Sequence, residues 1–223
     1  MITRHRAADR LARHRHAEAY VAVVLEGTYL EAGDGGRVRA GPGTVIAHEA
    51  MSAHRDDFGA AGAVVLNLPA VEGVAGAGTI SDVDALARVA ERDTAEAAFL
   101  LSSAFRPGAE SPGDWPDRLA AALAADPDLG IGDWAEAAGL DPASVSRGFS
   151  RAYGITPKRF RLEARVRRAA RALPCWNWSI AALAAEHGFA DQAHFARAIR
   201  ALTGTTPQAL RAKSVQAGAC RQL

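Results

Sequence analysis

The sequence holds only two cysteines, Cys175 and Cys220, in 223 residues. They are too few and too isolated for a disulfide framework or a cysteine zinc finger. Cys175 also lacks the basic setting that would activate a thiol, so no redox role is expected. No apolar run approaches the ~20 residues needed to span a bilayer. The opening Met1-Ile-Thr-Arg-His-Arg6 is basic with no apolar stretch behind it, so no secretory signal is expected. A cytoplasmic protein without a membrane partner is the expectation. Missing too are a Ser/His/Asp nucleophile set, a phosphate-cradling loop and a paired acid and base, so an enzyme is not expected. What is present is 49% hydrophobic residues, enough to bury a core.

The net charge of +1 hides an asymmetry. Residues 1–130 carry 12 Lys+Arg against 19 Asp+Glu, a balance of −7. Residues 131–223 carry 14 against 6, a balance of +8. A basic C-terminal part suits an anionic polymer, and the acidic remainder suits something else.

Residues 17–68 have the pattern of strands. Tyr20–Leu25 ends at Glu26-Gly27, and Thr28–Leu30 resumes before Gly33-Asp-Gly-Gly36. Val38 and Val45-Ile46 flank Gly41-Pro-Gly43, and Ala63–Leu68 closes the region. Short β-branched runs broken by Gly and Pro predict a small all-β barrel or sandwich. A glycine-rich link follows, Gly73 to Gly78. Ser81-Asp-Val-Asp84 then supplies a capping-competent helix start, with Leu86, Val89 and Ala90 at helical spacing. A second helix is predicted from Trp115 or Asp117 to Ala125, stopped by Asp126-Pro127. From residue 131 onward everything reads as helix.

The strongest feature is a self-match at an offset of about 50 residues. Asp141-Pro-Ala-Ser-Val-Ser-Arg147 parallels Asp191-Gln-Ala-His-Phe-Ala-Arg197, and Gly154-Ile-Thr-Pro157 parallels Gly204-Thr-Thr-Pro207. Upstream, Trp134–Gly139 matches Leu183–Gly188 at an offset of 49, so the second turn holds one extra residue. In each copy an Ala-rich helix ends at a glycine suited to the left-handed conformation, Gly139 or Gly188. A short turn then reaches an aspartate suited to N-cap the next helix, Asp141 or Asp191. That helix hides Val145, Phe149 and Tyr153 in copy one, and Phe195, Ile199 and Leu202 in copy two. Its other face is polar. Two helices about a tight glycine turn, the second polar outside, describe a helix-turn-helix.

Thr156-Pro157 and Thr206-Pro207 each supply an N-cap and an N1 proline for a further helix. The first, Pro157 to about Leu173, would be ~25 Å long. It carries Lys158, Arg159, Arg161, Arg165, Arg167, Arg168 and Arg171. A rod of that length can hold two reading helices near one DNA turn (~34 Å) apart. Trp176 and Trp178, just after it, are expected to cover the junction between subdomains.

Residues 130–211 resemble the AraC/XylS family of bacterial regulators. The resemblance rests on DPASVSRGFSRAYGITPKRFR and on SIAALAAEHGFADQAHFARAIRALTGTTPQALR, the latter close to the family signature. It implies two reading helices entering adjacent major-groove segments on one face of the DNA, bending it. The matched Arg147 and Arg197 are then candidates for guanine, a contact worth about 1–3 kcal/mol of discrimination. Ala143, Ser144 and Ser146 would favour thymine methyls or water, as would Ala193 and Ala196, and Gln192 suits adenine. Arg151, Thr156, Lys158 and Thr206 are candidates for backbone contacts, which position without specifying. His194 is open between a phosphate contact and a solvated surface.

Five of the seven histidines lie in the first 54 residues: His5, His14, His16, His48 and His54. HRHAEAYVAVVLEG and PGTVIAHEAMSAH resemble the two cupin motifs, in which a His-x-His pair and a glutamate meet a later histidine around a metal. Here Tyr20 stands where the spacing calls for the glutamate, and Glu49 and Met51 replace a Pro and a Gly. The resemblance implies a ligand pocket using His14, His16, Tyr20 and His54, with Tyr29, Met51 and Phe58 as further lining candidates or ordinary core. His14, His16 and His54 could ligate a divalent metal such as zinc. A pocket without metal and a barrel that merely packs are the alternatives.

The expected fold is α+β: a small cupin-like β-barrel over residues 1–75, a helical linker or dimerisation segment over 76–129, and a double helix-turn-helix over 130–223. The expected function is a sequence-specific transcriptional regulator controlled by a small molecule or metal in the barrel. The competing reading is a cupin metalloenzyme fused to a DNA-binding domain. Expected partners are double-stranded promoter or operator DNA, RNA polymerase, a small-molecule effector and a second copy of the chain.

Overall fold

Two long strands organise the N-terminal half of the computed structural model, which describes residues 1–109, 111–126 and 128–216, with the backbone alone described over 213–216. They are Tyr20–Gly33 (β3) and Ala53–Pro69 (β6), antiparallel over most of their length. Register shifts beside Gly27 bend the pair. Gly27 has φ +74° and lies against the Gly62 carbonyl, where a side chain has no room. Each strand then takes different partners along its two halves. β3 pairs first with Thr44–His48 (β5) and then with Gly36–Ala40 (β4). β6 pairs first with Arg10–Arg15 (β2) and then with Ile2–His5 (β1). Ala77–Thr79 (β7) and Arg106–Pro107 (β8) extend the β5 edge.

The eight strands form one antiparallel sheet with an open order, so the expected closed barrel is corrected to an open sheet wrapped about a cavity. Tyr20–Leu25 and Thr28–Leu30, read from the sequence as separate runs, are segments of β3; Val38 and Val45-Ile46 lie in β4 and β5, and Ala63–Leu68 is the second half of β6. β1 and β2 stand outside the predicted strand region. The end of the glycine-rich link enters β7, and His14 lies within β2, ahead of β3.

Side-chain alternation along β3 sorts the apolar residues. Val21 and Val23 join Val45, Leu66 and Leu68 in a core covered by Val83–Ala90 (α1) and Thr94–Ala104 (α2), through Leu86, Ala97 and Leu101. Ala22 and Val24 join Tyr29, Phe58 and Val65 on the opposite side. Asp82 caps α1, accepting from the Ala85 N–H at 2.8 Å, and Asp93 caps α2.

Trp115–Ala125 (α3) ends where expected, although Pro127 lies outside the described residues, as does Cys220. Six further helices follow: Ile131–Ala137 (α4), Pro142–Tyr153 (α5), Pro157–Ala172 (α6), Ile180–Glu186 (α7), Gln192–Thr203 (α8) and Pro207–Gln216 (α9). By contacts the chain divides into two units. One comprises Met1–Ala121 with Ala143–Ile155; the other comprises Ala122–Pro142 with the residues from Thr156 on. Helix α5 therefore belongs with the sheet. No helix among the described residues is long and apolar enough to cross a membrane.

Candidate DNA-reading helices and sheet cavity

The sheet encloses a cavity of about 680 Å³ whose apolar wall includes Leu11, Ala22, Tyr29, Phe58, Val65 and Leu68. Its polar wall brings together the four residues expected to bind ligand, His14, His16, Tyr20 and His54, and adds His48, Glu31 and Asp56. His5 also lines it, stacked on Phe58 with ring centroids 4.2 Å apart.

His54 sits at the centre of the polar wall. Its Nε2 lies 3.2 Å from both His16 Nε2 and Tyr20 Oη. Its Nδ1 lies 3.1 Å from Asp56 Oδ1 and 3.4 Å from Glu31 Oε2. Burial alone would lower its pKa, but Asp56 and Glu31 outweigh burial and push it up to about 10, so the ring is cationic at neutral pH. Burial, with His54 and His16 nearby, pulls His48 down to about 3, and burial with His54 and His14 lowers His16. Both therefore present neutral rings. Burial raises the Glu31 carboxyl, an effect His54 partly offsets. Two sets of possible metal-ligating atoms share His54: His14, His16 and His54 form one, and Glu31, His48 and His54 the other.

Met51 is not among the lining residues. Its backbone has φ +64°, the left-handed conformation that a glycine, expected there from the resemblance, adopts without strain. A non-glycine residue there carries backbone strain.

In the C-terminal part, both glycines that end the first helix of a pair, Gly139 and Gly188, have φ +68°. In α8, Phe195, Ile199 and Leu202 are buried against Leu183, Ala184 and Phe189, and against Val166, Ala169 and Leu173 of the preceding helix and turn. Asp191 caps α8 by accepting from the His194 N–H at 2.6 Å. Gln192, Ala193 and Arg197 are exposed and Ala196 half-buried. His194 is half-buried edge-on against Phe189, at 5.4 Å between ring centroids.

In α5, Val145, Phe149 and Tyr153 are buried, while Ala143, Ser144, Ser146, Arg147 and Arg151 are exposed. The Arg147 guanidinium donates to Ser144 Oγ at 3.1 Å. Thr156 Oγ1 accepts from the Arg159 N–H, and Thr206 Oγ1 from the Ala209 N–H, each at 3.2 Å. As an acceptor in the cap, each hydroxyl keeps its own proton to donate. Lys158 is exposed.

A family model described as a helix-turn-helix domain matches residues 134–213. The chain carries an AraC-type DNA-binding domain. It is a DNA-binding transcriptional regulator, and its partner is double-stranded DNA. Solved structures similar to this regulator include a transcriptional regulator from Chromobacterium violaceum, 27% identical, covering 44% of this chain and 89% of that one with a TM-score of 0.41. Another is the DNA-binding domain of AdpA in complex with a target DNA, 22% identical, covering 49% and 100% with a TM-score of 0.43. ToxT from Vibrio cholerae with a bound unsaturated fatty acid is 8% identical and covers 94% of both chains at a TM-score of 0.43. No curated protein matches the regulator.

Much of the regulator's basic helix α6 is structural. Arg159 pairs with Glu163 at 2.7 Å. Arg161 donates to the Leu129 carbonyl, Arg165 to Gly188, and Arg168 to Ala124 and Ala125, at 2.7–3.2 Å. Arg167 is buried. Arg161, Arg165 and Arg168 tie carbonyls of neighbouring segments, so the length of the basic run overstates the charge offered to a phosphate backbone. Nor do the two tryptophans jointly cover a junction: Trp176 packs against the second helical core, and Trp178 stands 72% exposed.

Sequence reasoning passed over Glu31, His48 and Asp56. His48 was visible as a histidine but stood outside the motif spacing. Glu31 and Asp56 become neighbours only through the β3–β6 register, which sets them directly opposite each other.

Proposed function

We propose that this regulator is a one-component sensor: a small effector in the cavity of residues 1–75 changes how the helix pairs of residues 130–223 hold an operator. The segment over 76–129 links the two and is offered to a second copy of the chain. The observation that carries this reading is a carboxylate shared between the sheet and the first reading helix. Arg37 on β4 donates to Asp117 of α3 at 2.9 Å and is also paired with Asp114. Asp117 Oδ1 in turn accepts from the Tyr153 hydroxyl of α5 at 2.7 Å. Burial would raise the Asp117 pKa, but Arg37 and Tyr153 together hold it below the usual range. Beside Arg37, Val38 pairs across β4–β3 with Glu31, which lines the cavity. A ligand that displaces Glu31 thus has a short physical route to α5, and it biases DNA binding by its differential affinity for the two arrangements.

In this reading His14, His16, Tyr20 and His54 present hydrogen-bonding groups to the effector. Arg147 and Arg197 take guanine edges and Gln192 an adenine. Ala143, Ser144, Ser146, Ala193 and Ala196 meet thymine methyls or water, and Arg151, Thr156, Lys158 and Thr206 hold phosphates. The regulator acts in the cytoplasm as an activator placing RNA polymerase at a promoter.

The test begins with selection of a preferred duplex from random DNA, followed by anisotropy titrations. Arg197→Ala is expected to relax preference at one base pair by about 1–3 kcal/mol. Lys158→Ala is expected to weaken all duplexes alike and to lower the salt slope by about one. Equal losses on specific and random DNA for both variants would show the division of roles to be wrong.

A further inference from the structure

We propose that the innermost part of the cavity is a divalent-cation site, suited to zinc, formed by Glu31 Oε2, His48 Nε2 and His54 Nδ1. This deepens the effector reading of the same cavity and rests on that cavity being a binding site. The Glu31 and His48 side chains are each only 5% exposed. Glu31 Oε2 and His48 Nε2 nevertheless have no hydrogen-bond partner among the described residues. Glu31 Oε2 has His54 Nδ1 at 3.4 Å, a group shared with the nearer Asp56; buried polar atoms left poorly satisfied are costly, and a cation beside Glu31 and His48 satisfies both.

Two of the three distances between ligand atoms fit an ion, and the third is within 4.8 Å. Zinc bonds of about 2.0–2.2 Å in a tetrahedron place neighbouring ligand atoms about 3.3–3.6 Å apart. Glu31 Oε2 lies 3.6 Å from His48 Nε2 and 3.4 Å from His54 Nδ1. Asp56, opposite Glu31 in the β3–β6 register, adds a second buried carboxylate beside His54. The outer set is less suited. Three imidazoles also suit zinc, but His14 and His16 are only partly buried and open to water, whereas Glu31, His48 and His54 are all buried. His14 Nδ1 is also engaged, with the Ala12 carbonyl at 3.0 Å.

On binding, His54 Nδ1 releases its proton to solvent and coordinates through the freed lone pair. Three protein ligands leave a fourth position for water or an effector oxygen from the cavity. His54 Nε2–H remains directed toward His16 and Tyr20, connecting the ion to the outer polar wall.

The full chain, stripped with chelator, is titrated with zinc and separately with cobalt(II), with bound metal counted by elemental analysis. One zinc per chain and the intense visible absorption of tetrahedral cobalt(II) are expected. Glu31→Gln and His48→Asn are expected to weaken zinc by more than the ~10–100-fold that loss of an outer-shell partner costs. His14→Ala is expected to change it less than about twofold. Circular dichroism and melting of each metal-free variant identify those that remain folded, and the wild-type cobalt spectrum decides the coordination geometry without any variant. A wild type that binds no zinc overturns the site while leaving an organic effector in the cavity intact. Zinc lost in His14→Ala but kept in folded Glu31→Gln also overturns it, moving the ion to the outer histidines.

Discussion

The two reading helices are copies in sequence and differ in what surrounds them. α8 is buried within its own helical core, where Phe195, Ile199 and Leu202 meet residues of α6 and α7. α5 instead groups with the sheet: Gly148 lies against the Trp115 ring, and the Arg151 carbonyl accepts from Arg55 at 3.1 Å. The sharpest difference falls at one position of the repeat. The Tyr153 hydroxyl reaches out to Asp117, whereas the Thr203 hydroxyl, fifty residues on, donates back to Ile199 of its own helix at 2.9 Å. Duplication supplies two readers. The Tyr153 hydroxyl adds a polar link from the first of them to Asp117.

Truncating the matched core residues should break this comparison most visibly. Phe149→Ala and Phe195→Ala are each expected to cost about 3–5 kcal/mol, because both rings are fully buried. Amide exchange should rise in α5 and the residues around Trp115 for the first variant, and in α6 to α8 for the second. The same set of amides loosening in both would erase the distinction. Tyr153→Phe removes only the bond to a charged acceptor and is expected to cost about 1.5–3 kcal/mol in urea unfolding. It should also abolish any effect of a cavity ligand on operator affinity. Unchanged stability with coupling intact would disconnect α5 from the sheet.

The smallest effect is expected at the helix caps. Thr156→Ala should cost about 1 kcal/mol of stability. Thr156→Asp should restore that stability, since aspartate caps well, yet weaken DNA binding by repelling phosphate. DNA binding that follows stability in both variants would make Thr156 a cap alone.

The reading helices were legible because their signals are local. A left-handed glycine, an N-cap hydroxyl or carboxylate and a 3.6-residue apolar stripe each act within a few residues, as at Gly188, Asp191 and Phe195. β1, β2 and α2 were less legible: Ile2–His5 and Arg10–Arg15 are short and polar, and Thr94–Ala104 lacks a clear polar face. The candidate site was half legible. Motif spacing found His14, His16, Tyr20 and His54, while Glu31, His48 and Asp56 depended on which strands pair and in what register.

The sequence alone thus determined that there are two helix-turn-helix units, the glycines that end their first helices and the buried stripe of their second, because caps, turns and helical periodicity are short-range. Tertiary structure decided that the expected barrel is an open sheet, that Arg161, Arg165 and Arg168 of α6 are held by backbone carbonyls, and that α5 groups with the sheet. Those outcomes depend on groups far apart in the chain, such as Arg165 and Gly188, Arg37 and Asp117, or Arg55 and Arg151, separated by 23, 80 and 96 positions. Local chemistry carries no record of such meetings; only the packed chain brings the groups within bonding distance.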